Sequence, residues 1–251
     1  MLADARKTTD GLYVFSCGIA AKQMADKVNA RIVSNGVKGE VHTYSVTDYA
    51  ESVINAASGV YSDKAVNAVK AMLNYGTAAQ QYFGYNTDNP ANSIMTDDDK
   101  NMDMVGFNTY TGKLVNADSV SGISYYGSSL VLESDTILRN YFELSDGYSI
   151  DNYTFYVKDK DGNKNIIAPQ KTDASLYYID ISNVKAYELA DNVNIYVQKN
   201  GDSEDKIMML EYGAYVYARY VDKYLDNTAL KNLMTAMYHY CNAATEYANI
   251  Y

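Results

Sequence analysis

The spacing of apolar residues changes character along the chain. Between Leu12 and Tyr44 they come in short runs, Leu12 to Ser16, Val28 to Ser34 and Glu40 to Tyr44, set apart by Gly, Asn and Asp. Short apolar runs bounded by turn formers predict strands. From Ser45 the period lengthens. Ser45-Val46-Thr47-Asp48 has the form of a capping box, and Tyr49, Ala50, Val53 and Ile54 fall on one face of the helix it opens. Ser62 is placed to cap the next helix, with the stripe Ala65, Ala68, Val69, Met72, Tyr75, Gly76, Ala79, Tyr82 and Phe83. Lys64, Asn67, Lys70, Asn74, Thr77 and Gln81 are expected to face away. Small residues at Gly76, Ala79 and Ala244 predict close helix packing.

Short runs then return. Ile123 to Tyr126, Leu130 to Glu133, Thr136 to Glu143, Tyr153 to Lys158, Leu176 to Ser182, Val193 to Lys199 and Lys206 to Glu211 are predicted strands. Asp161-Gly162 between Val157 and Ile166 is a hairpin signal, because Asp-Gly suits the positive φ of a type I′ turn. Strands at this spacing predict a sandwich. The chain closes on a second helical stripe: Leu230, Leu233, Met234, Met237, Tyr240, Cys241, Ala244, Tyr247 and Ala248. On the stripe argument Tyr75, Tyr82, Tyr240 and Tyr247 belong to the core.

The order strands, helices, strands, helices is explained by a repeat. When the sequence is slid along itself until Ala25 lies over Ala190, Ala25 to Gly36 covers Ala190 to Gly201 with six of the twelve residues identical. At the same shift Ala71-Met72 lies over Ala236-Met237, Tyr75 over Tyr240, Ala78-Ala79 over Ala243-Ala244 and Tyr82 over Tyr247. The predicted fold class is α+β: an antiparallel β-sandwich followed by a small helical bundle, duplicated, with the first copy incomplete. Residues 1–85 form the truncated first module, 86–106 a linker, 107–212 the second sandwich and 213–251 its helices. The three strands of the first copy have an exposed edge, so they are expected to pack on the neighbouring helices or on the full sandwich. A module entered partway predicts a longer parent chain of several modules, with Met1 a cloned start inside it.

Composition narrows the partners. The 31 acidic residues against 21 Lys and Arg leave a net charge of −10, so nucleic acid and anionic membrane surfaces are disfavoured. No apolar run reaches the roughly 20 residues of a bilayer span, which predicts no membrane insertion. Met1 to Lys7 lacks the apolar core of a signal peptide, so the chain is either cytoplasmic or cut from a longer secreted protein. Tyr is abundant, at 27, against 5 Phe and no Trp. The ordinary explanation of a single Tyr here is β-propensity and core packing. Cys17 and Cys241 form no disulfide framework and are expected as buried free thiols.

No catalytic constellation is visible. His42 and His239 are the only imidazoles and do not correspond in the repeat. Nucleophile-elbow, zincin, Walker and dinucleotide patterns are absent. Asp97 to Asp103 is an acidic run read as a solvated loop, and Asp159 to Asn163 is better explained as a hairpin than as a calcium loop. The expectation is no enzyme, no cofactor and no metal site. A glycosidase, which needs only two suitably spaced carboxylates, is kept as the third reading.

Val69 to Asn86, Tyr44 to Ala50 and Tyr126 to Ser134 resemble a repeated module of large surface proteins of gut Firmicutes. The strand-then-helix order and the duplication are also similar in architecture to the two-lobed starch adherence system proteins of amylosome-forming ruminococci. These resemblances imply an extracellular or cell-surface location and a non-catalytic carbohydrate-binding module for starch or another α-glucan. The alternative is a protein-binding adhesin or spacer module. Sugar faces stack on aromatic rings, and two linked lobes gain avidity on one glycan. The tyrosines off the helical stripes or near turns are the candidate contacts: Tyr85 with Asn86, the doublet Tyr125-Tyr126, Tyr220 and Tyr238.

Overall fold

The computed structural model describes residues 5–102, 118–132, 136–159, 161–182, 184–188, 193–209 and 226–249. The fold is mixed α+β with several antiparallel sheets. Its front part runs through β1 (Ala5–Lys7), β2 (Tyr13–Phe15), a 3-10 turn (Ala21–Gln23), β3 (Val28–Ala30), β4 (Val33–Ser34), β5 (Val37–Lys38) and β6 (His42–Tyr44). These strands make three two-stranded ribbons, β1 with β2, β3 with β6 and β4 with β5. The ribbons have local causes. Asn35 and Gly36 both take positive φ, at 48° and 79°, as a type I′ turn between β4 and β5 demands. Thr8 closes the first ribbon by bonding Leu12 through both its backbone and its hydroxyl.

The expected packing of these strands is corrected by their exposure. Every residue from Thr9 to Gly18 and from Asn29 to Tyr44 is exposed. Phe15 is 54% exposed and Ile32 68%. Turn chemistry is enough to fold the ribbons, but no described element lies over them.

Two helices follow, α1 (Val46–Ile54) and α2 (Asp63–Phe83). Ser45 and Ser62 cap them by accepting from the amides of Asp48 and Ala65. Asp48 pairs with Lys27 rather than closing the box. Ala50 and Val53 are the buried face of α1, and Tyr49 is turned out to solvent. Helix α2 ends at Gly84, whose left-handed φ of 60° suits a residue without Cβ.

Segment 86–102 is no free connector. It folds back as a strap along the polar face of α2, which corrects the expectation that Lys70, Asn74 and Thr77 point to solvent. Gln80 donates to the carbonyls of Asn86 and Asn89 and accepts from the amide of Ala91. Thr77 accepts from the amide of Asn92 and Asn74 from its side chain. Asn74 in turn donates to the carbonyl of Asp99, which also pairs with Lys70 at 2.8 Å. The strap carries the short helix α3 (Asp97–Lys100), capped by Thr96, so part of the acidic run is helical and tied down. Gly76 is where chain crosses chain: a Cβ there would lie 2.8 Å from Met24 Sδ and 3.1 Å from Ala91 Cβ.

The rear part has two four-stranded antiparallel sheets. One has the order β11 (Gln170–Lys171), β12 (Tyr177–Ile181), β8 (Thr136–Leu144), β7 (Ile123–Leu132). The other has the order β10 (Lys164–Ile167), β9 (Tyr153–Lys158), β13 (Ile195–Lys199), β14 (Lys206–Met209). Their facing side chains share one core of Ile123, Phe142, Phe155, Ile179, Ile195 and Val197. Phe142 and Phe155 meet across it with ring centroids 5.0 Å apart. The predicted strands at Ile123 and Leu130 are one strand, interrupted by a bulge between Tyr125 and Gly127. The Asp161-Gly162 hairpin forms between β9 and β10, but only Gly162 has positive φ. Asp159 bonds the amides of Asp161 and Asn163, giving a longer loop in place of the two-residue turn.

The last helix, α4 (Thr228–Ala248), packs on α2. Tyr75 stacks on Tyr240 at 5.9 Å, while Tyr82 and Phe83, further along α2, share a cavity with Leu230 and Met234 near the start of α4. Advancing along one helix retreats along the other, so the pair is antiparallel. Its core takes in Leu73, Ala78, Leu233, Met234 and Met237, with Leu138 contributed by β8. The expectation of four core tyrosines is met only in part: Tyr75 is buried, Tyr82 and Tyr240 are half-buried, and Tyr247 is 37% exposed. Cys241 is buried, but Cys17 is exposed, contrary to expectation.

Some front and rear elements stand at one sequence interval, the one that carries Ala25 onto Ala190. Helices α2 and α4 are both 21 residues long, and their first residues, Asp63 and Thr228, are one such interval apart in the sequence. Their caps Ser62 and Asn227 keep the same interval, and accept from the amides of Ala65 and Leu230, each three residues on. The 3-10 turn Ala21–Gln23 is matched by one at Ala186–Glu188. The Thr8 to Leu12 turn is matched, a single position out of step, by the same backbone and hydroxyl bonds from Thr172 to Leu176.

Candidate functional site: a tyrosine row on a sheet face

Alternation along β8 decides what each face of its sheet offers. Leu138, Asn140 and Phe142 point inward and are buried; Arg139, Tyr141 and Glu143 stand on the other side. Register then lines up neighbours. Gln170 stands opposite Tyr178, Tyr178 opposite Tyr141, and Tyr141 opposite Gly127. The bulge doubles the residues facing Tyr141, and its extra member is Tyr126, 66% exposed. A row of three tyrosines therefore crosses the outer face from β12 to β7. Gly127 leaves the place beside Tyr141 open, since a Cβ there would meet nothing within 4 Å.

Polar groups frame the row. Arg139 makes two 2.8 Å bonds to the Asp180 carboxylate, one from Nε and one from Nη2, and its guanidinium lies 4.0 Å from the Tyr178 ring centroid. Tyr178 donates to Gln170 Oε1 at 2.6 Å, and Tyr141 and Ser129 hydroxyls are 3.2 Å apart. The centroids of Tyr141 and Tyr178 are 6.1 Å apart. The arrangement offers the exposed Tyr126 ring beside the half-buried Tyr141 and Tyr178 rings, with hydroxyl and amide groups at their edges and the Arg139 guanidinium over the Tyr178 face. Nothing in it is a nucleophile with an adjacent base.

The opposite sheet carries a comparable surface that is already covered. Tyr156 and Tyr196 lie parallel at 5.2 Å. Lys164 sits over the Tyr156 ring at 4.3 Å and Lys158 over Tyr196 at 4.4 Å. Asp205 holds both ammonium groups, at 3.0 Å from Lys158 and 2.9 Å from Lys164, and its carboxylate raises the pKa of each. Tyr156 is fully buried beneath them.

The residues expected as contacts do not converge. Tyr85 donates to Asp26 at 2.5 Å and Asn86 donates to the same carboxylate at 3.2 Å. The pair thus ties the end of α2 to the loop before β3, and the Asp26 carboxylate pushes the Tyr85 hydroxyl up. Tyr125 points the other way from Tyr126, toward the core, with its ring edge on Phe142 and its hydroxyl on Ser128; burial raises its pKa. Tyr238 is half-buried in the helix core. Tyr220 lies outside the described residues. Only Tyr126 belongs to the row. Tyr141, Tyr178 and Gln170 were missed because register, not local sequence, brings them together; their outward parity was the available signal.

A cavity of about 200 Å³ opens between α2, β7 and α4, lined by Tyr82, Phe83, Leu130 to Leu132, Leu230 and Met234. It is apolar and below the usual volume of a small-molecule site. No described helix is long and apolar enough to cross a membrane. Comparison with protein families, curated proteins and solved structures gives no match.

Proposed function

We propose that this chain is a non-catalytic carbohydrate-binding module of a surface or secreted protein, and that it contacts an α-glucan such as starch through the row Tyr126, Tyr141 and Tyr178. The observation that carries the reading is the cross-strand alignment of these rings on an outer sheet face beside Gln170, Arg139 and Asp180. An exposed ring at Tyr126, continued by partly exposed rings at Tyr141 and Tyr178 with hydrogen-bonding groups at their rims, suits a ligand whose own faces are apolar and whose edges are hydroxyls.

Electrophoresis of the full chain in native gels containing soluble starch tests the reading. Retardation is expected for the unaltered chain and is lost in Tyr126→Ala and Tyr178→Ala, while Tyr85→Phe runs as the parent. Unretarded migration of the parent overturns the reading for that glycan. Release of reducing ends would favour the glycosidase instead.

The same reading takes the chain as two copies of one sandwich-plus-helices module, the first lacking strands that the second has. The recurrence of α2 and α4, of their caps and of the 3-10 turns at one shared shift supports it. So does the stacking of Tyr75 on Tyr240: equivalent residues touch each other where a two-fold axis relates two copies. A multi-module parent chain is part of this proposal. A protein-binding module is the second reading, favoured by the uncovered strands of the front part.

A further inference from the structure

Among the described large apolar side chains that are exposed, nine lie between Leu12 and Tyr44. Such a concentration on strands marks an interaction surface rather than scattered exposure. The recurrence of elements says what would cover it. Phe15 corresponds, through the shared Thr-to-Leu turn, to Ile179, which is 1% exposed. Ile32 corresponds to Val197, which is 0% exposed. In the rear part β12 pairs with β8, and β13 with β9, on the edges away from β11 and β14. In the front part β2 pairs only with β1, and β3 only with β6, among the described residues. The open edges are therefore those that β8 and β9 occupy in the rear, and among the bare side chains Phe15 and Ile32 are the ones whose rear counterparts lie buried between the two sheets.

We infer that the front part is a docking surface for two β-hairpins of the β7–β10 kind, donated by another polypeptide as added strands, one hairpin to the edge of β2 and one to the edge of β3 and β4. Main-chain bonds along the open edges supply attachment, and inward apolar side chains of the donor cover Phe15 and Ile32. This inference rests on the two-copy reading proposed above, but not on glycan binding, which rests on the rear sheet.

The test uses the full chain with an added copy of residues 118–168 joined ahead of residue 1 by a flexible linker, which raises the donor's effective concentration. Amide hydrogen exchange is read at Tyr13 to Phe15 and at Val28 to Ser34. The added copy is expected to slow exchange there at least a hundredfold, and the same copy carrying Phe142→Asp and Phe155→Asp is expected not to. Unchanged rates with the intact donor overturn the inference, as does equal slowing by the substituted donor. Slowing that appears in the unmodified chain as its concentration rises also overturns it, because the surface would then be an interface between copies of this chain.

Discussion

Phe15 and Ile179 follow the same turn in the same hydrogen-bonded setting, yet one is 54% exposed and the other 1%. The contrast separates two causes of strand formation. Turn residues and short-range bonds suffice to shape a ribbon, as at Thr8 and at Asn35-Gly36. Burial under a second sheet is what makes a strand matter to stability, because isolated ribbons are marginal in water. The rear strands β8, β9, β12 and β13 have both causes and the front strands only the first.

The largest effect should come from substituting at equivalent places on the two sides of that contrast. Ile179→Ala removes a side chain packed among Phe142, Phe155 and Ile195 and is expected to cost about 2–5 kcal/mol. Phe15→Ala deletes a larger side chain and is expected to stay within about 0.5 kcal/mol, as a surface substitution does. Urea unfolding of both variants decides it. Comparable losses would mean that the front ribbons are covered in solution.

The helices sharpen the comparison differently, because here the equivalent residues are packed against each other. Burial pushes the Tyr75 hydroxyl up to about 12 and raises Tyr240 as well. The unfolded chain ionises Tyr75 near pH 10, whereas the folded chain holds it neutral until about pH 12. Its contribution is intact below pH 10 and is lost as pH rises through that window, at about 1.4 kcal/mol per pH unit and up to about 3 kcal/mol. Tyr75→Phe lacks this loss, so its stability should fall less steeply above pH 10 in denaturant titrations. Parallel profiles would show that the Tyr75–Tyr240 stack opens to solvent.

These contrasts also mark what the sequence could reveal. Local chemistry was legible: the caps Ser45 and Ser62, the helical stripes and most strands are written in residues close together in the chain. Two kinds of feature were not. The row Tyr126, Tyr141 and Tyr178 depends on register and on a bulge, which pair positions far apart, so the doublet Tyr125-Tyr126 gave no hint that its members face opposite ways. The polar face of α2 looked solvent-facing because Lys70, Asn74 and Thr77 are hydrophilic, but polar side chains are also what a strap of irregular chain needs. Its backbone groups have no ladder to join and must be paired one at a time. The front turn at Thr8 escaped the repeat because its counterpart at Thr172 falls a single position short of where the shared shift would put it.

The smallest expected effect tests that strap against its counterpart on α4. Gln80 is 1% exposed and serves three backbone groups, the carbonyls of Asn86 and Asn89 and the amide of Ala91. Thr245 holds the matching place on α4, seventeen residues after its first residue as Gln80 is on α2, and its hydroxyl bonds the Cys241 carbonyl one turn back and reaches the Tyr187 carbonyl at 3.4 Å. Gln80→Leu keeps the volume and leaves those backbone groups unpaired, for an expected loss of about 2 kcal/mol. Thr245→Val removes bonds from a partly exposed site whose carbonyls water can serve, for about 0.5 kcal/mol or less. Exchange at the Ala91 amide discriminates further: it should quicken in the Gln80 variant well beyond the rate that the global loss explains, because the strap is released before the helix pair opens. If Ala91 instead quickens only in step with the helix core, the strap and α2 form one cooperative unit, and the polar face of α2 is as much core as its apolar stripe.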